Sequence, residues 1–363
     1  MNIGVPREIK KHEYRVGLTP SSVSKYIADG HDVNVEFGAG LGSGFEDCDY
    51  LAVGAKIMSK DVVFKNSEMI VKVKEPQQEE LKHFNQDHTL FTYLHLAADK
   101  KLTEDLVNIG LTSIAYETIQ LPNHSHPCLT PMSEIAGRLS VQEGAKYLET
   151  PFGGAGILLG GIPGVKRGKV VILGGGVVGF NAAKIAQGIG AYTSILDISQ
   201  ERLAYLDDVF GSSVQTLFSN DANIEMEISD ADVVIGSVYV HGASAPKLIR
   251  KHHLSRMKKG AVLVDVAIDQ GGCFETSKAT THDKPIYDVG GIVHYCVANM
   301  PGVVPQTSTV ALNNQTLRYG LEVASGISPD KYNDALKLGV NTHQGKLTCE
   351  AVANTHNLHF SAI

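Results

Sequence analysis

Two groups of residues in this sequence have types and spacings that could do chemistry. The first lies in KVVILGGGVVGFNAAKIAQGIGAYTSILDIS, where Gly174, Gly176 and Gly179 form a G-x-G-x-x-G spacing after the apolar run Lys169–Leu173. A helical stretch follows to about Ile189, and a second apolar run closes on Asp197. Glycines in this spacing also make ordinary turns; the order strand, turn, helix, strand, acid is what points to a dinucleotide. Gly174 would permit the tight turn, Gly176 would let the backbone approach a pyrophosphate, and Gly179 would let helix and strand pack closely. The helix N-terminus offers unpaired N–H groups and a positive dipole end to the phosphates. A carboxylate at Asp197 can accept hydrogen bonds from both ribose hydroxyls and would repel a 2′-phosphate. NAD is therefore expected over NADP, the alternative being a doubly wound domain for another nucleotide.

The second group is dispersed. Arg15 lies in the loop after the first expected strand, Lys74 ends MIVKVK, His95 closes TLFTYLHL, and Asp269 follows AVLVDVAI. Ligands of open α/β sheets gather at the carboxyl ends of strands, where all four residues fall. Two cations can hold a carboxylate, the arginine bidentately. A histidine titrates in the range useful for proton transfer, and an aspartate can accept hydrogen bonds from an amine or hydroxyl at a reacting carbon. The set suits an amino-acid or oxo-acid dehydrogenase, in which hydride chemistry belongs to the nicotinamide. Each residue also has a plainer reading. Arg15 and Lys74 could be solvated charges, His95 a hydrogen-bonded core residue, and Asp269 a turn cap before Gln270-Gly271-Gly272.

The hydrophobic pattern specifies the scaffold that must position them. Strand-like runs occur at Asn2–Val5, Asp32–Phe37, Met69–Lys74, Thr89–Leu96 and Thr112–Ile119. More follow at Lys169–Leu173, Tyr192–Ile198, Val214–Phe218, Val233–Ser237, Ala261–Ile268 and Ile292–Ala298. Helical stretches separate most of them, including Leu102–Ile109, Ser133–Leu148 and Gln306–Ser325, with a weaker one after Pro329. Thr19-Pro20 reads as a helix start and Gly30 as its stop. This alternation predicts a parallel α/β architecture with strands buried on both faces. A length of 363 residues suits two domains or one large one.

Composition narrows the function classes. The balance of 43% hydrophobic and 20% charged residues is that of a globular protein, and a formal net charge of −7 offers nucleic acid no basic surface. No apolar run reaches the roughly 18 residues that span a bilayer. The start, MNIGVPREIKKHEYR, lacks an apolar signal core, so a cytoplasmic protein is expected. Cys48, Cys128, Cys273, Cys296 and Cys349 form no CxxC pair and read as reduced thiols. His124 and His126, or His356 and His359, have ligand-like spacing without acidic or cysteine partners nearby, so no metal is expected. His252-His253 reads as a surface pair flanking a helix.

Along its whole length the chain resembles the alanine dehydrogenase family. The matching stretches are VPREIKKHEYRVGLTP, VKVKEP, YLHLAAD, TPMSEIAGR, GGIPGV, VVILGGGVVGFNAA, LVDVAIDQGGCFE and VHYCVANMPGVVPQTST. The resemblance implies two Rossmann-like doubly wound domains with the active site in the cleft between them. A substrate domain would comprise 1–128 and 307–363, and an NAD domain 129–306. It implies that Arg15 and Lys74 bind the substrate carboxylate and carbonyl, that His95 and Asp269 are catalytic, and that Tyr93, Leu129 and Met132 lie near a small substrate side chain. For NAD it points to Ser133, Val177, Val178, Asp197, Arg202, Ser219, Val238 and Tyr239. It also points to Val266, Ala267, Ile268 and Asp269, to Lys278, and to Val297, Ala298, Asn299 and Met300. Tyr239 and His241 stand where the family more often has Leu and Pro, and Lys278 where it often has Arg. The implied activity is interconversion of L-alanine with pyruvate and ammonium, by a homo-oligomer that in this family is commonly a hexamer. Competing readings are the NAD-binding portion of a transhydrogenase, a saccharopine dehydrogenase, and a catalytically silent NAD-binding module.

Overall fold

The short apolar runs pair as parallel strands, because strands that bury both faces need helical crossovers rather than hairpins between them. The structure, a computed structural model, describes residues 1–238 and 245–363. Two compact units result, Met1–Met132 with Gly302–Ile363, and Ser133–Pro301. In chain order the strands are β1 (Asn2–Val5), β2 (Asp32–Glu36), β3 (Lys56–Met58), β4 (Met69–Val71), β5 (Thr89–Thr92) and β6 (Thr112–Ala115). Then come β7 (Lys169–Leu173), β8 (Tyr192–Asp197), β9 (Gln215–Phe218), β10 (Val233–Gly236), β11 (Val262–Asp265), β12 (Ile286–Val289) and β13 (Ile292–Tyr295), followed by β14 (Val340–His343) and β15 (Lys346–Leu347).

The first unit's sheet runs β15-β14-β6-β5-β4-β1-β2-β3, with β1 to β6 parallel and β14 and β15 antiparallel at one edge. The second unit's sheet runs β12-β13-β11-β10-β7-β8-β9, and only β12 is antiparallel. In each, the chain winds outward from a central strand, returns, and winds out on the other side. The loops after β1 and β7 therefore sit at switch points, where an open α/β sheet offers a crevice. The first of these loops holds Arg15 and the second holds Gly174.

Local signals act as the sequence suggests. The helix Pro20–Ala28 starts at Thr19, whose side chain accepts from the Ser22 amide, and Gly30 follows with φ 85°. The long helix expected over Gln306–Ser325 spans Pro305–Ala324, and that expected over Ser133–Leu148 spans Thr130–Tyr147. Several strands end sooner than their apolar runs. The run Met69–Lys74 leaves the ladder at Val71, Thr89–Leu96 at Thr92, and Ala261–Ile268 at Asp265. Apolarity reports burial rather than ladder membership: Val73, Leu94 and Ile268 are buried beyond their strand ends. No helix among the described residues is long and apolar enough to cross a membrane.

Among the buried polar groups without a described hydrogen-bond partner, one lies in the core of the first unit. The Tyr26 hydroxyl is fully buried and lies against Gly320, where an added Cβ would sit 2.0 Å from the oxygen and 3.3 Å from Cζ. A buried, unsatisfied hydroxyl costs about 1–3 kcal/mol. Tyr26→Phe should keep or raise the melting temperature, Gly320→Ala should lower it, and the double variant should recover most of that loss. A Gly320→Ala protein that Phe at position 26 does not rescue would disprove this packing.

Candidate active site

In the first unit the loops after β1, β4 and β5 bring together four side chains. Arg15 is 2% exposed and Lys74 9%, so neither is a solvated surface charge. Arg15 Nη1 lies 3.1 Å from the Met132 thioether. Its Nε and Nη2 each donate to a Glu13 carboxylate oxygen at 2.6 Å. Burial, and then the charge of Arg15, push the Lys74 ammonium below its ordinary range. Tyr93 is buried and donates to the Cys128 carbonyl at 2.6 Å. His95 is exposed, not a core residue, and stacks on the Tyr93 ring with centroids 5.8 Å apart and planes 4° from parallel.

Carboxylates that the sequence pattern does not single out hold these loops. His95 adopts a left-handed backbone, φ 51° and ψ 36°, which β-carbon-bearing residues reach only when something fixes it. Glu117 does so by accepting the His95 amide at 2.6 Å and the Leu94 amide at 3.2 Å. Glu8 accepts the Val73 amide at 2.6 Å and the Lys74 amide at 3.3 Å. The buried Lys72 ammonium lies 3.1 Å from Glu8 and 2.8 Å from Glu80, an ion triad directly beneath the Lys74 loop. Only an acid in the right loop marks Glu8 and Glu117 in the sequence. Nothing local pairs either with its target.

The second unit carries the glycine segment. Gly174 has φ 102° and receives a turn that few other residues tolerate, while a Cβ at Gly179 would meet the Gly174 carbonyl oxygen at 1.8 Å. Gly176 caps the twelve-residue helix Val177–Gly188, and a Cβ there would meet nothing within 4 Å. Gly176 and Val177 are exposed, and Val178 is half-buried. Asp197, half-buried at the end of β8, accepts the Gly175 amide at 2.6 Å and the Ser199 amide at 2.9 Å. Arg202 donates to the Gly175 carbonyl at 2.5 Å and lies over the Tyr205 ring. Ser219, following β9, donates its amide to the Asp197 carbonyl at 2.9 Å. A Cβ at Gly137 would lie 2.2 Å from the Val178 carbonyl, so helix Thr130–Tyr147 crosses the glycine-segment helix closely. Ser133 is one turn before Gly137 on the same face.

The remaining expected residues follow β10, β11 and β13. Val238 packs at the glycine turn, while Tyr239 and His241 lie outside the described residues. Val266, Ala267, Ile268 and Asp269 form a single 3₁₀ turn after β11, with Asp269 exposed. Asp265, fully buried, fixes this turn by accepting amides of Cys273 at 2.9 Å and Phe274 at 3.3 Å and the Ser277 hydroxyl. Sequence reasoning missed it, although an acid closing the apolar strand VLVD was the available signal. Lys278 is exposed beside Ser277. In the segment Val297–Met300, Val297 and Met300 are buried, Ala298 and Asn299 are half-buried, and Asn299 has φ 62°.

The surface reading of His252-His253 needs correction: His253 is 4% exposed, and both rings lie beside Glu225 with ligand atoms within 4.8 Å. The trio is poorly set for a metal, because His253 Nδ1 already accepts the Arg250 amide at 3.1 Å. The neutral ring then keeps its proton on Nε2, 3.5 Å from Glu225, and Arg256 also binds that carboxylate.

Comparison with known proteins now decides the family. Residues 4–136 match the family described as "Alanine dehydrogenase/PNT, N-terminal domain", and residues 140–350 match "Alanine dehydrogenase/PNT, C-terminal domain". The chain belongs to the alanine dehydrogenase/PNT family. An alanine dehydrogenase of Staphylococcus haemolyticus is 53% identical, with 100% of this chain and 98% of that one aligned. "Alanine dehydrogenase 2" of Staphylococcus aureus is 51% identical with the same coverage. A solved L-alanine dehydrogenase superposes with a TM-score of 0.96 at 53% identity, over 98% of this chain and 99% of that one. A transhydrogenase from Sinorhizobium meliloti shares the fold, with a TM-score of 0.84 at 24% identity over 97% of this chain and 100% of that one. The family and the Rossmann-like fold together imply a nicotinamide cofactor.

The two glycines separate folding from binding. Gly179→Ala should lower the melting temperature sharply, because backbone blocks its methyl group. Gly176→Ala should fold normally and weaken binding of the nicotinamide cofactor, since that methyl group points into space a phosphate would need. Equal melting temperatures for the two variants in a thermal scan would refute this division.

Proposed function

We propose that the protein is an NAD-dependent alanine dehydrogenase, converting L-alanine, NAD⁺ and water to pyruvate, ammonium, NADH and a proton, and the reverse. The observation that carries this is the buried cation pair Arg15 and Lys74, grouped with an exposed His95, in a chain of this family. Residues 1–128 and 307–363 act as the substrate domain, and residues 129–306 as the NAD domain. The same reading takes the enzyme to be a cytoplasmic homohexamer, on the strength of the resemblance alone.

The glycine segment fits a dinucleotide: position 179 has room only for hydrogen, and Gly176 opens onto a helix N-terminus. Gly174, Gly176, Val177, Val178 and Gly179 would hold the pyrophosphate, and Asp197 the ribose. Ser133, Arg202, Ser219, Val238, Tyr239, Val266–Asp269, Lys278 and Val297–Met300 would complete the contacts. When bound, the nicotinamide supplies the hydride acceptor.

The chain's own groups bind, orient and move protons. Arg15 and Lys74 hold the substrate carboxylate and its neighbouring oxygen. On the family resemblance, Tyr93, Leu129 and Met132 lie near the substrate's methyl group. Once the substrate's ammonium group has given up a proton, loss of hydride from the α-carbon leaves an iminium ion. Water adds to it, and the carbinolamine expels ammonia to give pyruvate. His95 takes a proton from the attacking water and returns one to the departing amine. Asp269 orients the amine and stabilises the positive charge on the imine.

NADH absorbance should respond to L-alanine with NAD, and to pyruvate plus ammonium with NADH; silence with both substrate sets would favour a binding module. General acid–base catalysis is worth about 10²–10⁴-fold. His95→Ala and Asp269→Ala should therefore each cut turnover at least about a hundredfold with NADH binding largely kept. A folded His95→Ala enzyme with near-normal turnover would end its catalytic assignment. Ile198 is exposed beside Asp197, so Asp197→Ala with Ile198→Arg should raise NADP use relative to NAD. Equal use of both cofactors by the unmodified enzyme would remove Asp197 from this role.

A further inference from the structure

Arg15 already grips a carboxylate of the chain's own. Glu13 Oε1 accepts from Arg15 Nε and Glu13 Oε2 from Nη2, both at 2.6 Å, and the two side chains are 0% and 1% exposed. Glu13 Oε1 also accepts the Arg15 amide at 3.1 Å, so the couple is built within Glu13-Tyr14-Arg15. A guanidinium can hold a carboxylate bidentately along its Nε/Nη2 edge or its Nη1/Nη2 edge. Glu13 takes the first. In the proposed function the substrate carboxylate shares this same guanidinium, whose Nη1 lies against Met132.

A carboxylate in an anion-binding group weakens that binding, so its position calls for a physical reason. Two adjacent buried cations repel each other, and Arg15 already pushes the Lys74 ammonium down. Burial pushes the Glu13 carboxyl up, but the hydrogen bonds and charge of Arg15, with Lys74 behind them, hold it at about 2. Glu13 is thus ionised at any working pH, and with Lys74 protonated the group Arg15, Lys74 and Glu13 carries one net positive charge. Other titratable groups described nearby have partners or states of their own. Glu75 is paired with Lys10, Lys72 sits between Glu8 and Glu80, and burial raises the Tyr93 phenol far out of the working range.

We propose that Glu13 sets the charge of the ligand this group accepts: a small 2-oxo acid with one carboxylate enters, and a dianion of the same shape is turned away. The proposal rests on the alanine–pyruvate reading and deepens it, making Glu13 a specificity-determining residue that acts partly through Arg15.

Oxamate and oxalate test it, because both copy the size and planarity of pyruvate while differing by one charge at neutral pH. Binding to the full chain with NADH present is measured by calorimetry and by inhibition of pyruvate reduction. The unmodified enzyme should bind oxamate more tightly than oxalate. Glu13→Gln should shrink the ratio of oxalate to oxamate dissociation constants at least about tenfold, since it removes a like charge from a buried site. Glu13→Asp, which keeps the charge but shortens its reach, should weaken both ligands and keep the ratio. A merely structural role for Glu13 would move both affinities together. An unchanged ratio in Glu13→Gln overturns the proposal, and so does an unmodified enzyme that binds oxalate as well as oxamate, a result that needs no variant to fold. Either result in an enzyme that turns over pyruvate removes this inference alone. An enzyme inactive with alanine and with pyruvate removes the functional reading as well.

Discussion

A parallel sheet covered on both faces can meet polar ligands only at its strand ends. Crossovers of one hand bring successive strands back in the same direction, so the carboxyl ends collect along one edge of each sheet. The residues proposed for catalysis, for the substrate carboxylate and for the pyrophosphate sit there. In the first unit Arg15 follows β1, Lys74 follows β4 and His95 follows β5; in the second, the glycine turn follows β7 and the Asp269 turn follows β11. Asp197 closes β8, and Ser219 follows β9. The core supplies rigidity: β10, β11 and β13 are buried along their whole length.

The same edge creates a difficulty that acidic side chains resolve. Where a strand leaves the ladder, its amides lose their partners, and buried amides must find others. A carboxylate offers two oxygens and forms charge-assisted bonds, so one side chain can serve several amides. Glu8, Glu117, Asp197 and Asp265 each accept two successive or nearby amides at a strand-end loop. Two of them carry the mark of burial, since Glu8 and Asp265 are pushed above the ordinary carboxylate range. The arrangement exchanges desolvation for position. It fixes the backbone beneath Lys74 and His95, and it fixes the turn that ends in Asp269.

Glu13 differs from these four in its partner, the guanidinium of Arg15, which is proposed to hold the substrate carboxylate. Its fork-to-fork contact orients the guanidinium before any ligand arrives, and pre-organisation of this kind reduces what a ligand must order on binding. Met132 and Tyr93 close the same neighbourhood with an apolar thioether and a ring whose hydroxyl is already engaged. The result is a small, largely desolvated cationic group in which one carboxylate more or less changes the electrostatics substantially.

Features confined to a few neighbouring residues could be read directly from the sequence. The helix start at Thr19, the bounds of β1 and β7, the glycine spacing and the acid closing β8 are each set within about one turn or one strand, so composition and spacing suffice for them. The family resemblance added roles that no spacing carries. What the sequence left open depends on partners far along the chain. Burial of Arg15 and Lys74, exposure of His95, and the early ends of β4, β5 and β11 follow from which loops the crossovers bring together. The links Glu8 to Val73, Glu117 to His95 and Lys72 to Glu8 join different loops and strands. An acid's chemistry is written in its residue type, but the amide or cation it meets is decided by the folded sheet, because only the fold brings those atoms within hydrogen-bonding reach.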